Sequence, residues 1–117
     1  MEQQSSYTLQ NDEHVQIIQV QDLLNEYENK KILDIVHQKM EEGFPDFVVD
    51  LSLIDYMNSV GLNFLISIKN RSESLGGKIA VAHASQKIVH LLEMTKLKPL
   101  FHLEANVADA IGSLRNV

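Results

Sequence analysis

Apolar and polar residues follow a pattern along the chain that predicts strands alternating with helices. Two short apolar stretches, 7–10 and 15–20, are separated by a polar turn and predict an antiparallel hairpin. The later runs 47–51 and 78–82 are mostly apolar, which is typical of strands buried on both faces of a parallel sheet. A last short strand is predicted at 101–103.

Four helices are predicted between and after these strands, each beginning at a polar residue that can accept hydrogen bonds from the first turn. The predicted N-caps, in chain order, are Asn25 (with Glu28 three residues later), Ser59, Ser85 and Asn106 (with Asp109 three residues later). The first two helices are predicted to end at Gly43 and at the pair Gly76-Gly77, because glycine readily takes the left-handed conformation that terminates a helix.

The resulting order, β-β-α-β-α-β-α-β-α, predicts an α/β fold. We expect a mixed β-sheet of four to five strands with about four helices packed on one or both of its faces. A length of 117 residues suits one core, so a single domain over 1–117 is predicted. Residues 1–6 are polar and are expected to be disordered.

Composition narrows the classes of function. The chain has 16 acidic and 10 basic residues, a net charge of −6, which argues against binding nucleic acid or an anionic membrane surface. It contains no cysteine, so disulfides and thiolate chemistry are excluded. No apolar run approaches the roughly 20 residues that span a bilayer, and the start lacks the features of a signal peptide. The simplest interpretation is a cytoplasmic protein that does not insert into membranes.

The segment 55–62, DYMNSVGL, carries the most informative chemistry. A phosphoryl group on Ser59 would lie at the positive end of a helix, where the fold tolerates an anion. Its effect would fall on a binding partner, which would meet a new dianion at close range. Simple helix capping is the competing interpretation of Ser59. Gly61 has two interpretations as well: access for a second protein, or packing against the sheet.

Several motifs together resemble the STAS domain, which bacterial anti-sigma factor antagonists share with sulphate transporters. The resemblance runs from about Phe47 to Leu114. It is carried by FVVDL, IDYMNSVGL, the pair Gly76-Gly77, KIAVA and SQKIVHLLEMTKLKPLF. Family members usually carry Asp-Ser-Ser-Gly-Leu at the loop, where this chain has Asn58-Ser59-Val60-Gly61-Leu62.

The resemblance implies an anti-sigma factor antagonist-like regulatory protein with its phosphate acceptor at Ser59. The unmodified form would bind a serine protein kinase that is also an anti-sigma factor. Phosphorylation would release it, and a metal-dependent serine phosphatase would reset it. The residues implied in partner binding are Asn58, Val60, Gly61, Leu62, Met94 and Lys96. The alternative is a non-phosphorylated STAS scaffold subunit of a membrane-associated transport or signalling assembly.

Other chemistries find less support in the sequence. The five histidines form no helical pair with zinc-ligand spacing. Asp50 and Asp55 could hold magnesium as in receiver domains, but the acidic pair that receivers carry after their first strand is missing. A nucleophile elbow is incomplete, since Met57 stands where its first glycine is required. We therefore expect no enzyme activity, no metal and no cofactor.

Overall fold

A five-stranded mixed sheet forms the centre of the computed structural model, which describes residues 6–115. The strands are β1 (Tyr7–Asp12), β2 (Val15–Val20), β3 (Phe47–Asp50), β4 (Ile79–Ala82) and β5 (Leu103–Glu104). They lie side by side in chain order. β1 pairs with β2 antiparallel, and all other neighbours are parallel. The expected disorder of residues 1–6 concerns a segment whose first five residues lie outside the described part of the chain.

Four α-helices and one short 3₁₀ helix connect or follow the strands. They are α1 (Glu26–Glu41), α2 (Ser59–Ser74), α3 (Gln86–Met94), the 3₁₀ helix (Lys98–Leu100) and α4 (Val107–Arg115). The predicted α/β class, the mixed sheet and the order of elements are confirmed. The last strand lies two residues later than predicted, because Phe101 is buried beside the strand and its N–H bonds to the Lys98 carbonyl at 3.1 Å.

Three of the four predicted N-caps are confirmed by their hydrogen bonds. The side chains of Asn25, Ser85 and Asn106 accept from backbone N–H groups three residues later, at 3.0, 3.1 and 2.8 Å. Each bond satisfies a donor that the first helical turn otherwise leaves unpaired. These caps fix where α1, α3 and α4 begin.

The two faces of the sheet carry different cores. Ile79 and Val81 of β4 face the larger cluster, which α1, α2 and α3 cover. Ala80 and Ala82 of the same strand face the smaller cluster, which α4 covers with side chains that include Ile111. Alternation of side chains along a strand produces this division. Both faces are buried, as the continuous apolar runs predict.

Parallel pairing brings the carboxyl ends of β2, β3 and β4 to one edge of the sheet, which we call the carboxyl edge. Gln19 is in register with Asp50, and Asp50 with Ala82. The N-termini of α1, α2 and α3 all follow from this edge. Polar loop residues that are far apart in sequence therefore come together here. Among the helices of residues 6–115, none has the length and apolar character required to cross a bilayer.

His37 lies where α1 packs against α2. Burial, and next the positive charge of Arg71, lower the pKa of His37, while Asp34 and Glu41 oppose the shift more weakly. Its Nε2 atom is buried and has no hydrogen-bond partner among residues 6–115. Arg71 itself forms an ion pair with Glu41 across the two helices. A proton on His37 would thus place a second cation at a crowded interface.

We predict that His37 makes the fold less stable at mildly acidic pH. Its pKa is below 6.5 in the folded chain, so the unfolded chain takes up the proton first as the pH falls. The contribution to stability is complete above pH 6.5 and is lost as the pH falls through the folded-state pKa. Urea unfolding at about pH 7.5 and about pH 5.5 should show a smaller loss of unfolding free energy in His37→Gln than in the unmodified chain. Equal losses in the two proteins would contradict this role.

Candidate functional site

The loop between β3 and α2 is anchored from below and leaves two large side chains in solvent. Ile54 and Met57 are buried in the core under this loop, while Leu53 and Tyr56 are about half exposed. The loop begins with a turn, in which the N–H of Ile54 donates to the Leu51 carbonyl at 3.0 Å. The loop is therefore held in place by apolar burial, and its outer surface carries two large apolar side chains among polar ones.

Two polar contacts tie the same loop to the start of α3. The Ser85 hydroxyl donates to the Asp55 carbonyl at 2.6 Å while it also accepts from the N–H of Ile88. Lys87 Nζ lies 3.0 Å from Asp55 Oδ2. The ion pair is exposed and adds little stability, but the serine links the loop directly to a helix cap. The start of α3 and the β3–α2 loop thus form one continuous surface.

Asn58, and not Ser59, is the N-cap of α2. The side-chain oxygen of Asn58 accepts from the N–H of Val60 at 3.0 Å. The backbone carbonyl of Asn58 accepts from the N–H of Leu62, also at 3.0 Å. Ser59 is the first helical residue. The predicted cap was wrong by one position, because the asparagine before the serine is an equally good capping residue with extended backbone angles. Capping therefore leaves the Ser59 hydroxyl unused.

Ser59 lies on the surface at the positive end of α2. Ser59 is exposed, and its hydroxyl forms no hydrogen bond with any residue that the structure describes. The first turn of α2 has no acidic residue, so no side chain of that turn neutralises the partial charge of the helix end. The site combines an accessible nucleophilic oxygen with a local field that favours an added anion.

Gly61 packs closely inside the protein. A Cβ atom at this position would lie 2.7 Å from Met57 Cβ and 3.3 Å from Leu23 Cβ. The packing interpretation of this glycine is thus the one that the geometry supports. Leu62 is also buried. Of the residues implied in partner binding, these two hold the loop from below, whereas Asn58 and Val60 are half-buried and reach the surface.

Met94 and Lys96 lie on different parts of the surface around α3. Met94 is 68% exposed and lines an open hollow of about 430 Å³ with Tyr56 and His90. Lys96 follows the helix with a φ of +63° and lines a separate hollow near Leu103 of β5. The structure therefore brings Met94, but not Lys96, alongside the loop that carries Ser59.

The two aspartates of this edge have separate partners. Asp50 accepts from the N–H of Ser52 at 2.9 Å and from Gln19 Nε2 at 3.2 Å. Asp55 pairs with Lys87. Within residues 6–115, no three histidine, aspartate or glutamate side chains come together as a metal site. The magnesium site of a receiver domain is therefore not assembled by the residues that the structure describes.

Exposed apolar side chains concentrate around the site, a feature that the sequence analysis missed. Of the seven large apolar residues most exposed among 6–115, five lie in the segments beside the carboxyl edge or along α3: Leu24, Tyr27, Leu53, Tyr56 and Met94. The available signal was the occurrence of leucine and tyrosine within loops and next to helix caps. An apolar surface rimmed by polar residues is typical of a protein-binding site.

Comparisons with known proteins agree with this architecture. The family model described as STAS domain matches residues 6–110. A Thermotoga maritima protein solved as a candidate anti-sigma factor antagonist has 19% identity and a TM-score of 0.85, with 94% of this chain and 95% of that chain covered. The unphosphorylated anti-sigma factor antagonist SpoIIAA, a Bacillus cell fate determinant, has 15% identity and a TM-score of 0.80, with 96% and 98% covered.

One further similar structure is much larger than this chain. The murine anion transporter Slc26a9 has 14% identity and a TM-score of 0.73, and the match covers 92% of this chain but 19% of the transporter. No curated protein matches the sequence. At these identities the solved structures show the fold, and the family model shows the family.

Replacing the cap should affect stability more than replacing the serine beside it. We expect Asn58→Ala to lower the unfolding free energy by about 1 kcal/mol, because the N–H of Val60 loses its acceptor. Ser59→Ala should change it by less than about 0.5 kcal/mol, since that hydroxyl is exposed and forms no bond with a described residue. Chemical denaturation of the two variants measures both values. A larger loss in Ser59→Ala than in Asn58→Ala would contradict the assigned cap.

A methyl group at Gly61 should strain the loop. We expect Gly61→Ala to lower the unfolding free energy by roughly 1–3 kcal/mol, because the new Cβ overlaps Met57. Gly112→Ala in α4 is the matched control: its Cβ would have nothing within 4 Å. The control should gain roughly 0.5–1 kcal/mol from higher helix propensity. Equal effects of the two changes on urea unfolding would argue against close packing at Gly61.

Proposed function

The chain belongs to the STAS domain family, and we propose that it is an anti-sigma factor antagonist-like regulatory protein. In its unmodified form it binds a serine protein kinase that also acts as an anti-sigma factor. Phosphorylation of Ser59 releases the kinase, and a serine phosphatase restores binding. In this cycle the chain and its partners act in the cytoplasm. The cycle requires neither nucleic acid binding nor membrane insertion by this chain.

The position of Ser59 is the observation that carries the proposal. Its hydroxyl is exposed at the first position of α2 and is not used as a cap. In the modification, the Ser59 oxygen takes the γ-phosphoryl group of ATP, its proton passes to a base of the kinase, and ADP leaves. The chain supplies only the acceptor oxygen. The family's anti-sigma factor antagonists are in general regulators and not enzymes, which agrees with this role.

The fold tolerates the phosphate, and the bound partner does not. At an exposed helix N-terminus an anion is favoured by about 0.3–1 kcal/mol, so the modified chain stays folded. In a tight interface the same dianion loses its hydration, which costs several kcal/mol unless the partner supplies cations. Each 1.4 kcal/mol corresponds to about a factor of ten in affinity. A release by two or three orders of magnitude therefore needs no change of fold.

The residues around Ser59 fit distinct parts of this scheme. Asn58 and Val60 reach the surface on either side of the acceptor, and Met94 extends the contact surface along α3. Gly61 and Leu62 contribute by holding the loop from below. Lys96 lies in the separate hollow near β5, so we place it at the margin of the contact. Val60 carries no hydroxyl, which leaves Ser59 as the one serine in segment 58–62.

A scaffold function without phosphorylation is the second candidate. The match to part of the murine anion transporter Slc26a9 supports it, because it shows that this fold occurs within a membrane transport protein. In that case the exposed apolar surface at the carboxyl edge would serve a permanent contact. Ser59 would remain unmodified in the cell. Purification from the native host together with a membrane transport protein would favour this candidate.

Incubation with ATP and each purified serine kinase of the source organism tests the switch. We expect one kinase to add a single phosphate to Ser59, found by mass spectrometry of peptides. The same kinase should bind the unmodified chain, and calorimetry should give an affinity at least about tenfold weaker for the phosphorylated chain or for Ser59→Asp. Ser59→Ala should remain unmodified and retain binding.

Ser74→Asp is the matched control for added charge, since Ser74 is an exposed serine at the other end of α2. It should bind the kinase as the unmodified chain does. The proposal fails if no kinase modifies Ser59, or if the phosphorylated and unmodified chains bind the kinase equally tightly.

A further inference from the structure

A groove runs between α1 and α2 on the side of Ser59 away from α3. We call it the α1/α2 groove. Its volume is about 440 Å³, and its main lining residues are Tyr27, Lys30, Leu33, Val60, Asn63 and Phe64. Most of the surface that they present to it is apolar. Its size is sufficient for one or two large side chains of another protein.

Val60 makes the groove continuous with the phosphate-acceptor site. It is the residue directly after Ser59, it is half-buried, and it lines the end of the groove. A protein that contacts Ser59 from the α1 side therefore contacts Val60 and then the groove. The usual second serine of the family motif would put a hydroxyl at this point, whereas Val60 puts two methyl groups there. This chain thus has an apolar entrance to the groove.

Tyr27 forms the outer wall. It is 70% exposed, the highest value among the large apolar side chains of residues 6–115. Its ring lies under the ammonium group of Lys31, which is 5.0 Å from the ring centre. This cation–π contact still leaves most of the Tyr27 side chain accessible to a partner. Tyrosine is one of the residue types enriched among the side chains that dominate binding energy at protein interfaces.

One of the residues that line the groove, Asn29, is polar and almost fully buried. Asn29 is 97% buried, and its Nδ2 atom donates to the Leu23 carbonyl at 2.9 Å. Its Oδ1 atom has no hydrogen-bond partner among residues 6–115. Because an unpaired buried acceptor is costly, a donor that reaches it from the groove supplies the hydrogen bond that it lacks among the described residues. The preferred occupant is therefore apolar along its length and carries a donor at its tip.

We propose that the kinase which modifies Ser59 also places an amphipathic side chain, apolar with a terminal hydrogen-bond donor, in the α1/α2 groove. This inference rests on the proposed function. The groove is continuous with Ser59 through Val60, and its rim carries both Glu26 and Lys30, so a contact of mixed polarity suits it better than a highly charged ligand. Val60 and Tyr27 then determine which kinase binds, and Ser59 determines when it binds.

Binding of the purified kinase to groove variants tests the inference. We expect Tyr27→Ala and Asn63→Trp to weaken the complex about tenfold or more, because one removes a wall and the other fills the groove. Val60→Ser should weaken it by a smaller factor. Leu100→Ala is the matched control: Leu100 is a half-exposed apolar residue outside the groove, and its removal should leave the affinity unchanged. Circular dichroism and urea unfolding confirm that each variant is folded.

The outcomes separate this inference from the proposed function. If Ser59→Asp abolishes kinase binding while Tyr27→Ala and Asn63→Trp retain it, the switch stands and the groove contact is overturned. If no kinase binds the unmodified chain, both are overturned. Loss of self-association in Tyr27→Ala, with kinase affinity unchanged, would assign the groove to a second copy of the chain and would likewise overturn the inference.

Discussion

Burial of β2, β3 and β4 on both faces is the constraint on which the rest of the structure depends. Their interior side chains are apolar on either side, so helices must cover the sheet above and below. Each parallel pair also requires a crossover, and the three crossover helices pack on one face while α4 covers the other. This arrangement brings three helix N-termini to the carboxyl edge. The position of the candidate site thus follows from how the strands are buried.

Close packing beneath the β3–α2 loop then fixes the orientation of its residues. Met57 fills the space under the loop, and Gly61 allows the first turn of α2 to lie directly against it. With these two residues inside, Asn58 takes the cap and Ser59 turns to solvent. The exposed hydroxyl is therefore a consequence of core packing. The chemistry that we propose for it needs no mobile loop.

The sequence predicted most of the fold because its strongest signals were local. Continuous apolar runs and helix caps at Asn25, Ser85 and Asn106 each specify an element without reference to the rest of the chain. The choice between Asn58 and Ser59 as cap was not local: both residue types can cap a helix, and which one takes the extended backbone angles of a cap depends on how the loop is packed. The 3₁₀ helix and the shifted β5 likewise depend on where Phe101 is buried.

The candidate site was predicted only in part, for the same reason. Ser59 was selected from the sequence because its signal is a motif and a helix start. The α1/α2 groove was not found, since Tyr27 and Val60 are 33 residues apart and meet only after α1 packs on α2. Exposure is a property of the assembled surface, and a tyrosine in a helix gives no sign of whether it faces the core. Interaction surfaces built from two elements are therefore the features that sequence patterns reveal least.

An acceptor at a closely packed helix start explains how one phosphate would have a large effect in the proposed switch. The first turn of α2 has no acidic residue to repel the added group, so the free energy of the chain itself changes little. Val60 lines one apolar hollow and Tyr56 lines another, so in the proposed switch a partner that fills both would also lie over Ser59. Most of the desolvation cost of the dianion then falls on the complex. Release would follow from electrostatics at one point of the interface, with the fold unchanged on either side of it.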